Sequence, residues 1–269
     1  MQNDVLGFIG CGHMASAIIN SIKTTDIIPL SNVYIYDIDE VKTAYFVEQG
    51  FSEANSIEEL TKKCSIIFLC IRPQDFSELS LQMKTLVTYK NLFVSIMAGI
   101  SSSYIQKEFT VNCPVIRVMP NTPLQIGKGA TAISRTENVS DEQFNLVSDI
   151  FSSCGVVSLI DENHMNAVIA VSGSSPAYIY LFAKTVVEYA RSEGIDGEAA
   201  LSLFSQTLIG SAEMLLKSNK SPQQLIDDVA VGGGTTAAAM QVFYDSGFPE
   251  IIASAMEACT KRSIELGEK

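Results

Sequence analysis

Up to about residue 160, short and continuously apolar runs alternate with amphipathic stretches. Residues 5–10, 33–37, 65–71, 92–97, 115–119, 130–134 and 155–160 read as strands, because each is a brief run of apolar and β-branched positions too short for a buried helix. Between the early ones, residues 15–23 and 41–49 repeat apolar positions at helical spacing, and Gly50 stands where a helix would stop. Strands without polar alternation need cover on both faces, so the order predicts a mainly parallel, doubly wound α/β sheet over residues 1–161. After Asp161 the β-branched runs cease, and helical periodicity restarts near residues 164, 177, 197, 222, 235 and 249. Residues 162–269 should form an all-α domain. Its helices, such as "YIYLFAKTVVEYA" and "LSLFSQTLIGSAEMLL", are apolar on more than one side, which predicts packing against a second subunit.

Composition narrows the function classes. A chain of 269 residues with 47% hydrophobic content can fill two ordinary cores. A net charge of -12 would be repelled by nucleic acid and by anionic membrane surfaces, so neither is an expected partner. No apolar run is read as long enough to span a membrane, and the first strand opens at Val5, too near Met1 for a signal peptide. The expected location is cytoplasmic. Cysteines at 11, 64, 70, 113, 154 and 259 form no C-x-x-C pair, which predicts reduced, buried thiols rather than a metal site or a disulfide frame.

Directly after the first strand, "GCGHMA" sets Gly10, Gly12 and Ala15 in the G-x-G-x-x-[G/A] spacing. The first glycine permits a tight turn, the second lets a pyrophosphate approach the backbone, and the small Ala15 lets helix and strand pack closely. His13 and Met14 open the helix whose unpaired N–H groups would face the phosphates. A second strand ending in an acid, Asp37, completes the dinucleotide pattern of a Rossmann-type domain. Asp37 would accept from ribose hydroxyls and, with Asp39 and Glu40, repel a 2′-phosphate; no Lys or Arg is read in that immediate turn. The cofactor is therefore NADH or NADPH, with a slight lean to NADH. Later strand ends form the rest of the crevice, which assigns Ile71, Arg72 and Pro73 of "CIRPQ", Ala98 and Gly99 of "SIMAGIS" and Asn121 of "RVMPNTP" to the nicotinamide half.

A late segment, "VAVGGGTTAAAMQVF" at residues 229–243, interrupts helix-friendly sequence with three glycines and no charge. Glycines at a helix start let successive N–H groups converge on an anion, and the helix dipole adds favourable potential. Taken together, the motifs resemble the pyrroline-5-carboxylate reductase family. The likeness is carried by residues 10–15, "IRPQ", "SIMAGI", "RVMPNTP" with Gly127 and Gly129, "SGSSPAY" at 172–178, "QTLIGSAEML" at 206–215, "GGTT" at 233–236 and the tail "KRSIEL". The resemblance implies hydride transfer from NAD(P)H to 1-pyrroline-5-carboxylate, giving proline. It implies that Gly233, Gly234, Thr235 and Thr236 bind the substrate carboxylate, with donors at Gly234, Thr235 and Thr236 and the catalytic role at Thr236. The ring would lie near Ser174, Pro176 and Ala177, and the family's ribose-contacting asparagine corresponds to Asn55 or Ser56. A homodimer through the helical half, open to a higher oligomer of dimers, is also implied. The chain departs from the family pattern where Ser175 replaces a glycine, Val231 and Gly232 replace Ser-Pro, and Arg72 replaces a lysine. Gly232 adds unbound conformations that must be lost, so weaker substrate affinity is expected.

The missing groups point to the same chemistry. A ketone reductase needs a proton donor beside the oxygen. His13 lies in the phosphate turn and His164 opens the helical half, so neither suits that role. The lysine signature of the related 3-hydroxyacid dehydrogenases is also absent, since Glu188 stands where its asparagine would follow Lys184. A protonated imine needs no such donor, because its nitrogen already carries the charge that hydride addition cancels. Two readings stay open beside this one: an imine or ketoacid reductase for a larger substrate, and a non-catalytic dinucleotide-binding module.

Overall fold

The computed structural model describes residues 4–267. In chain order the first half contains β1 (Leu6–Ile9), α1 (His13–Thr25), β2 (Val33–Tyr36), α2 (Glu40–Val47), β3 (Ser52–Glu53), α3 (Ile57–Lys63) and β4 (Ile66–Leu69). There follow α4 (Phe76–Met83), β5 (Leu92–Ser95), α5 (Ser102–Phe109), β6 (Val115–Met119), β7 (Gly129–Arg135), α6 (Asp141–Ser152) and β8 (Gly155–Leu159). Every expected strand forms. The unexpected one is β3, whose two residues are too few to show a period.

The strands make one eight-stranded sheet in the order β3-β2-β1-β4-β5-β6-β7-β8, parallel except where β6 meets β7. The continuous apolar runs are explained by alternation between two buried layers. Leu6, Phe8, Ile66, Phe68, Leu92 and Val94 enter one cluster, with Phe8 and Phe68 stacked at 4.2 Å between ring centroids. Ile9, Ile67, Leu69 and Phe93 enter the other, under α3, α4 and α5. Adjacent residues thus serve opposite faces. On the first face α1 contributes the stripe Ala15, Ile18, Ile19 and Ile22, a spacing of three and four that keeps all four on the sheet side. The chain reverses its winding at β1, which lies between β2 and β4, and such a switch point opens a crevice at the carboxyl ends of the strands.

The second half contains α7 (Met165–Val168), a π-helical turn (Ile169–Gly173), α8 (Ser175–Ser192), α9 (Gly197–Lys217), α10 (Pro222–Val229), α11 (Thr235–Asp245) and α12 (Phe248–Gly267). Contacts divide the chain into a unit of residues up to Ser174 plus those from Ala258 on, and a second unit, Ser175–Glu257. This division lies later than residue 161 because Met165, Ile169 and Cys259 share a small apolar cluster with Met119 and Ala132 of the sheet.

Within the second unit α8 and α9 pack together, with Phe182 against Phe204. Large apolar side chains nevertheless remain open, among them Tyr180, Leu181, Leu203 and Leu216, each more than three-fifths exposed. The sequence expectation about membrane-length segments needs correction here: α9 is long and apolar enough to cross a bilayer by length and composition. Its serines, Gln206 and Thr207 break the apolar run to the eye while adding no charge.

Candidate active site

The glycine turn after β1 is held from two sides. Gly10 donates its N–H to the Tyr36 carbonyl at 2.8 Å and adopts φ +94°, and a Cβ there would lie 2.6 Å from the Cys70 carbonyl oxygen. Only glycine fits that contact. Gly12 has nothing within 4 Å of where its Cβ would stand, and it caps α1 without a side-chain hydrogen bond. Helix α1 therefore presents unmet N–H groups beside an open backbone, the arrangement that accepts a pyrophosphate. Ala15 is buried, while His13 is exposed. These residues fit a dinucleotide.

Asp37 is committed to this turn: its carboxylate accepts from Cys11 N–H at 2.6 Å and from Asp39 N–H at 2.9 Å. Its side chain is only 8% exposed, and Lys42 lies 3.8 Å away. The turn itself holds no Lys or Arg, but the first turn of α2 brings Lys42 back over both Asp37 and Asp39. Burial, then the neighbouring Asp37 charge, push the Cys11 thiol up to about 12, so it stays protonated.

The strand-end topology brings Ile71, Arg72, Pro73, Ala98, Gly99 and Asn121 to the same edge of the sheet as the glycine turn, since β1, β4, β5 and β6 run parallel. Arg72 is tied outward to Asp75 through bonds of 2.8 and 3.0 Å. Asn55 donates through both its N–H and its side-chain amide to Glu59, and Ser56 caps α3 by accepting from Glu59 N–H. The Lys63 contact first, then the two Asn55 bonds, hold the Glu59 carboxyl down near about 2.

Asn121 does something its cofactor assignment did not foresee. Its oxygen accepts from Ala130 N–H at 2.9 Å and its amide donates to the Ser172 carbonyl at 3.0 Å. The side chain is buried, so its bonding capacity serves the protein: it links the end of β6 to the start of β7 and to the π-helical turn. That turn closes with Ser174 N–H donating to the Ile169 carbonyl at 2.7 Å and delivers Ser174, whose hydroxyl accepts from the Cys259 thiol at 3.4 Å. Irregular helical turns of this kind recur at functional sites.

An ion pair with a buried arginine and a partly exposed acid was also missed. Arg117 on β6 donates to Glu162 at 3.1 Å, and the same carboxylate oxygen accepts from Ser102 N–H at 2.7 Å at the start of α5. Burial pushes the Arg117 guanidinium's pKa down while Glu162 opposes the shift. The available signal was an arginine inside the apolar run "VIRVM", which requires an acid partner.

In the second unit Pro176 is buried and Ala177 exposed near the start of α8. Gly233 takes φ +78°, and Gly234 N–H donates to the Val231 carbonyl at 3.0 Å, closing a turn. The Gly234 N–H is thus engaged inside its own turn. The donors left at the uncapped start of α11 are Thr235, Thr236 and Ala237. Lys184 pairs with Glu188 on an exposed face, and His164 is exposed in the first unit.

Residues 162–266 match the family model for pyrroline-5-carboxylate reductase dimerisation, and residues 5–99 match a model described as NADP oxidoreductase, coenzyme F420-dependent. Over 97% of this chain and 95% of its own length, pyrroline-5-carboxylate reductase of Pisum sativum is 35% identical. The chain belongs to the pyrroline-5-carboxylate reductase family. Among solved structures, the Plasmodium falciparum pyrroline carboxylate reductase with NADP bound superposes with a TM-score of 0.90 at 31% identity, covering 99% of both chains. The Streptococcus pyogenes 1-pyrroline-5-carboxylate reductase gives 0.87 at 31%, covering 97% and 98%. The family's dimerisation region takes in α9 whole, so its apolar flank falls within a segment associated with assembly.

Proposed function

We propose that this protein is a pyrroline-5-carboxylate reductase, transferring hydride from NAD(P)H to the C=N carbon of 1-pyrroline-5-carboxylate to give proline. The observation that carries the reading is an uncapped helix start with no charged side chain in its first turn, suited to an anion, in a chain that matches reductases of this substrate over 97% of its length. Residues 1–161 hold the dinucleotide, through the Gly10 to Ala15 turn and the loops bearing Ile71, Ala98 and Gly99. The second unit, Ser175–Glu257, supplies the carboxylate-binding turn and the apolar faces of the dimer.

A dinucleotide held by these residues would supply the hydride. The chain supplies orientation: amides of Thr235, Thr236 and Ala237, with the Thr236 hydroxyl, grip the carboxylate, while Ser174, Pro176 and Ala177 border the ring. No side chain has to deliver a proton to oxygen, and both histidines are exposed. Holding a small ring against a nicotinamide is enough to recover a large part of the barrier, since well-oriented partners gain roughly 7–11 kcal/mol over free encounter.

Between the cofactors we keep the slight lean to NADH, with Lys42 as the group that admits NADPH. The exposed apolar faces of the helical half support a homodimer, and an oligomer of dimers is its natural extension. Six free cysteines agree with a reducing, cytoplasmic setting. The test is loss of reduced-nicotinamide absorbance with 1-pyrroline-5-carboxylate and with unsubstituted 1-pyrroline. Turnover of the first and a far weaker rate with the second is expected. Equal rates would favour a broader imine reductase, and dinucleotide binding without oxidation would favour a non-catalytic module.

A further inference from the structure

We propose that the last turn of α12 is a positioning element of the cofactor site, forming the rigid back wall of the loop that carries Ala98 and Gly99. The proposal rests on the reading of that loop as a nicotinamide-side contact. All residues concerned belong to the first unit.

Gly99 is buried at φ +81°, and a Cβ there would lie 2.3 Å from the Ser263 carbonyl oxygen and 3.1 Å from the Gly267 nitrogen. In return, a Cβ on Gly267 would lie 2.2 Å from the Gly99 carbonyl oxygen. Backbone meets backbone on both sides, so there is no flexible side chain to give way. The wall itself is anchored: Ser263 is 3% exposed and its hydroxyl donates to the Asn166 side chain at 3.0 Å, fastening α12 to α7. One turn earlier, Cys259 packs in the cluster that also holds Ala98, Met119 and Met165. The far end of the loop is fixed through Ser102 N–H on Glu162, and Glu162 is fixed by Arg117. A loop pinned at its end and backed by a helix can have its distance from a ligand set from behind.

The test uses full-length protein and the variants Gly267→Ala and Ser263→Ala. The alanine at 267 forces the loop or the helix to shift by the depth of a methyl group, and displacements near 1 Å at a reacting geometry cost up to about 100-fold. We expect the KM for NADPH, and the Kd measured by nicotinamide fluorescence without imine, to rise roughly tenfold in Gly267→Ala, with the KM for 1-pyrroline-5-carboxylate changed less than about twofold. Ser263→Ala, which keeps the methylene and loses only the Asn166 bond, should move the same constants in the same direction by less. If Gly267→Ala fails to fold, Ser263→Ala alone decides. Wild-type cofactor constants in the folded variants, or equal rises in both KM values, would overturn the proposal. The binding measurement separates the two readings: wild-type protein that binds NADPH without reducing the imine would retire the reductase assignment, and the variants' Kd would still judge the wall.

Discussion

Replacing Asn121 by aspartate changes almost nothing in shape and reverses one hydrogen bond. The oxygen that accepts from Ala130 N–H remains, but the amide that donates to the Ser172 carbonyl becomes a second carboxylate oxygen, placed 3.0 Å from another acceptor. A buried bond is lost, a carbonyl is left unmatched and a charge is buried, which together cost about 2–4 kcal/mol. The strain falls on the π-helical turn and hence on Ser174. Urea unfolding should therefore show a lower midpoint, and the KM for 1-pyrroline-5-carboxylate should rise more than that for the dinucleotide. The defect should also depend on pH. Because only the protonated acid can donate to Ser172, the variant's folded-state pKa is raised above its unfolded value of about 3.9. Its stability relative to wild type is then best below that value and is lost as pH rises through the folded pKa. Wild-type stability and an unchanged imine KM at neutral pH would refute the assignment of Asn121 as a clamp.

Thr236→Ala should raise the KM for the carboxylated imine several-fold, and Gly234→Val, whose Cβ would stand 3.0 Å from the Val231 carbonyl, should abolish its binding; unchanged steady-state kinetics in both would remove the carboxylate from this turn. The ratio of kcat/KM for NADH to that for NADPH should slightly favour NADH, and Lys42→Glu should raise it further by stripping the cation from beside Asp37; a strong wild-type preference for NADPH would contradict the lean. Burial pushes the thiols of Cys11 and Cys64 up to about 12 and that of Cys113 to about 11. These raised folded-state values add stability below the ordinary thiol range that is lost as pH climbs toward 11 and 12, and at pH 8 the three should resist a thiol reagent until the protein is unfolded. Rapid labelling of Cys11 in native protein would refute that.

Elements with a strong local signal were legible in the sequence. The continuous apolar strands announced a sheet covered on both faces, and α1 and α11 begin where glycines and small residues mark their starts. β3 left no trace because two residues have no period. At the site, backbone conformation could be inferred from glycine spacing, but who bonds to whom could not. Lys42 follows Asp37 by five positions and returns to it only because α2 turns back over the strand end. Glu162 meets Arg117 across forty-five positions of sequence, a pairing that only the assembled sheet creates. Asn121 was read as a loop residue after β6, yet its work for the protein became visible only with Ala130 and Ser172 beside it. The use of Gly234 N–H inside its own turn was equally hidden, since a glycine triplet can open an anion nest or close a reverse turn.

The most direct test is a crystal structure of the dimer with oxidised dinucleotide and a carboxylated five-membered ring. The account predicts carboxylate oxygens within hydrogen-bonding distance of the Thr235 and Thr236 N–H groups at the start of α11. A carboxylate gripped instead by an arginine or lysine side chain elsewhere would contradict it.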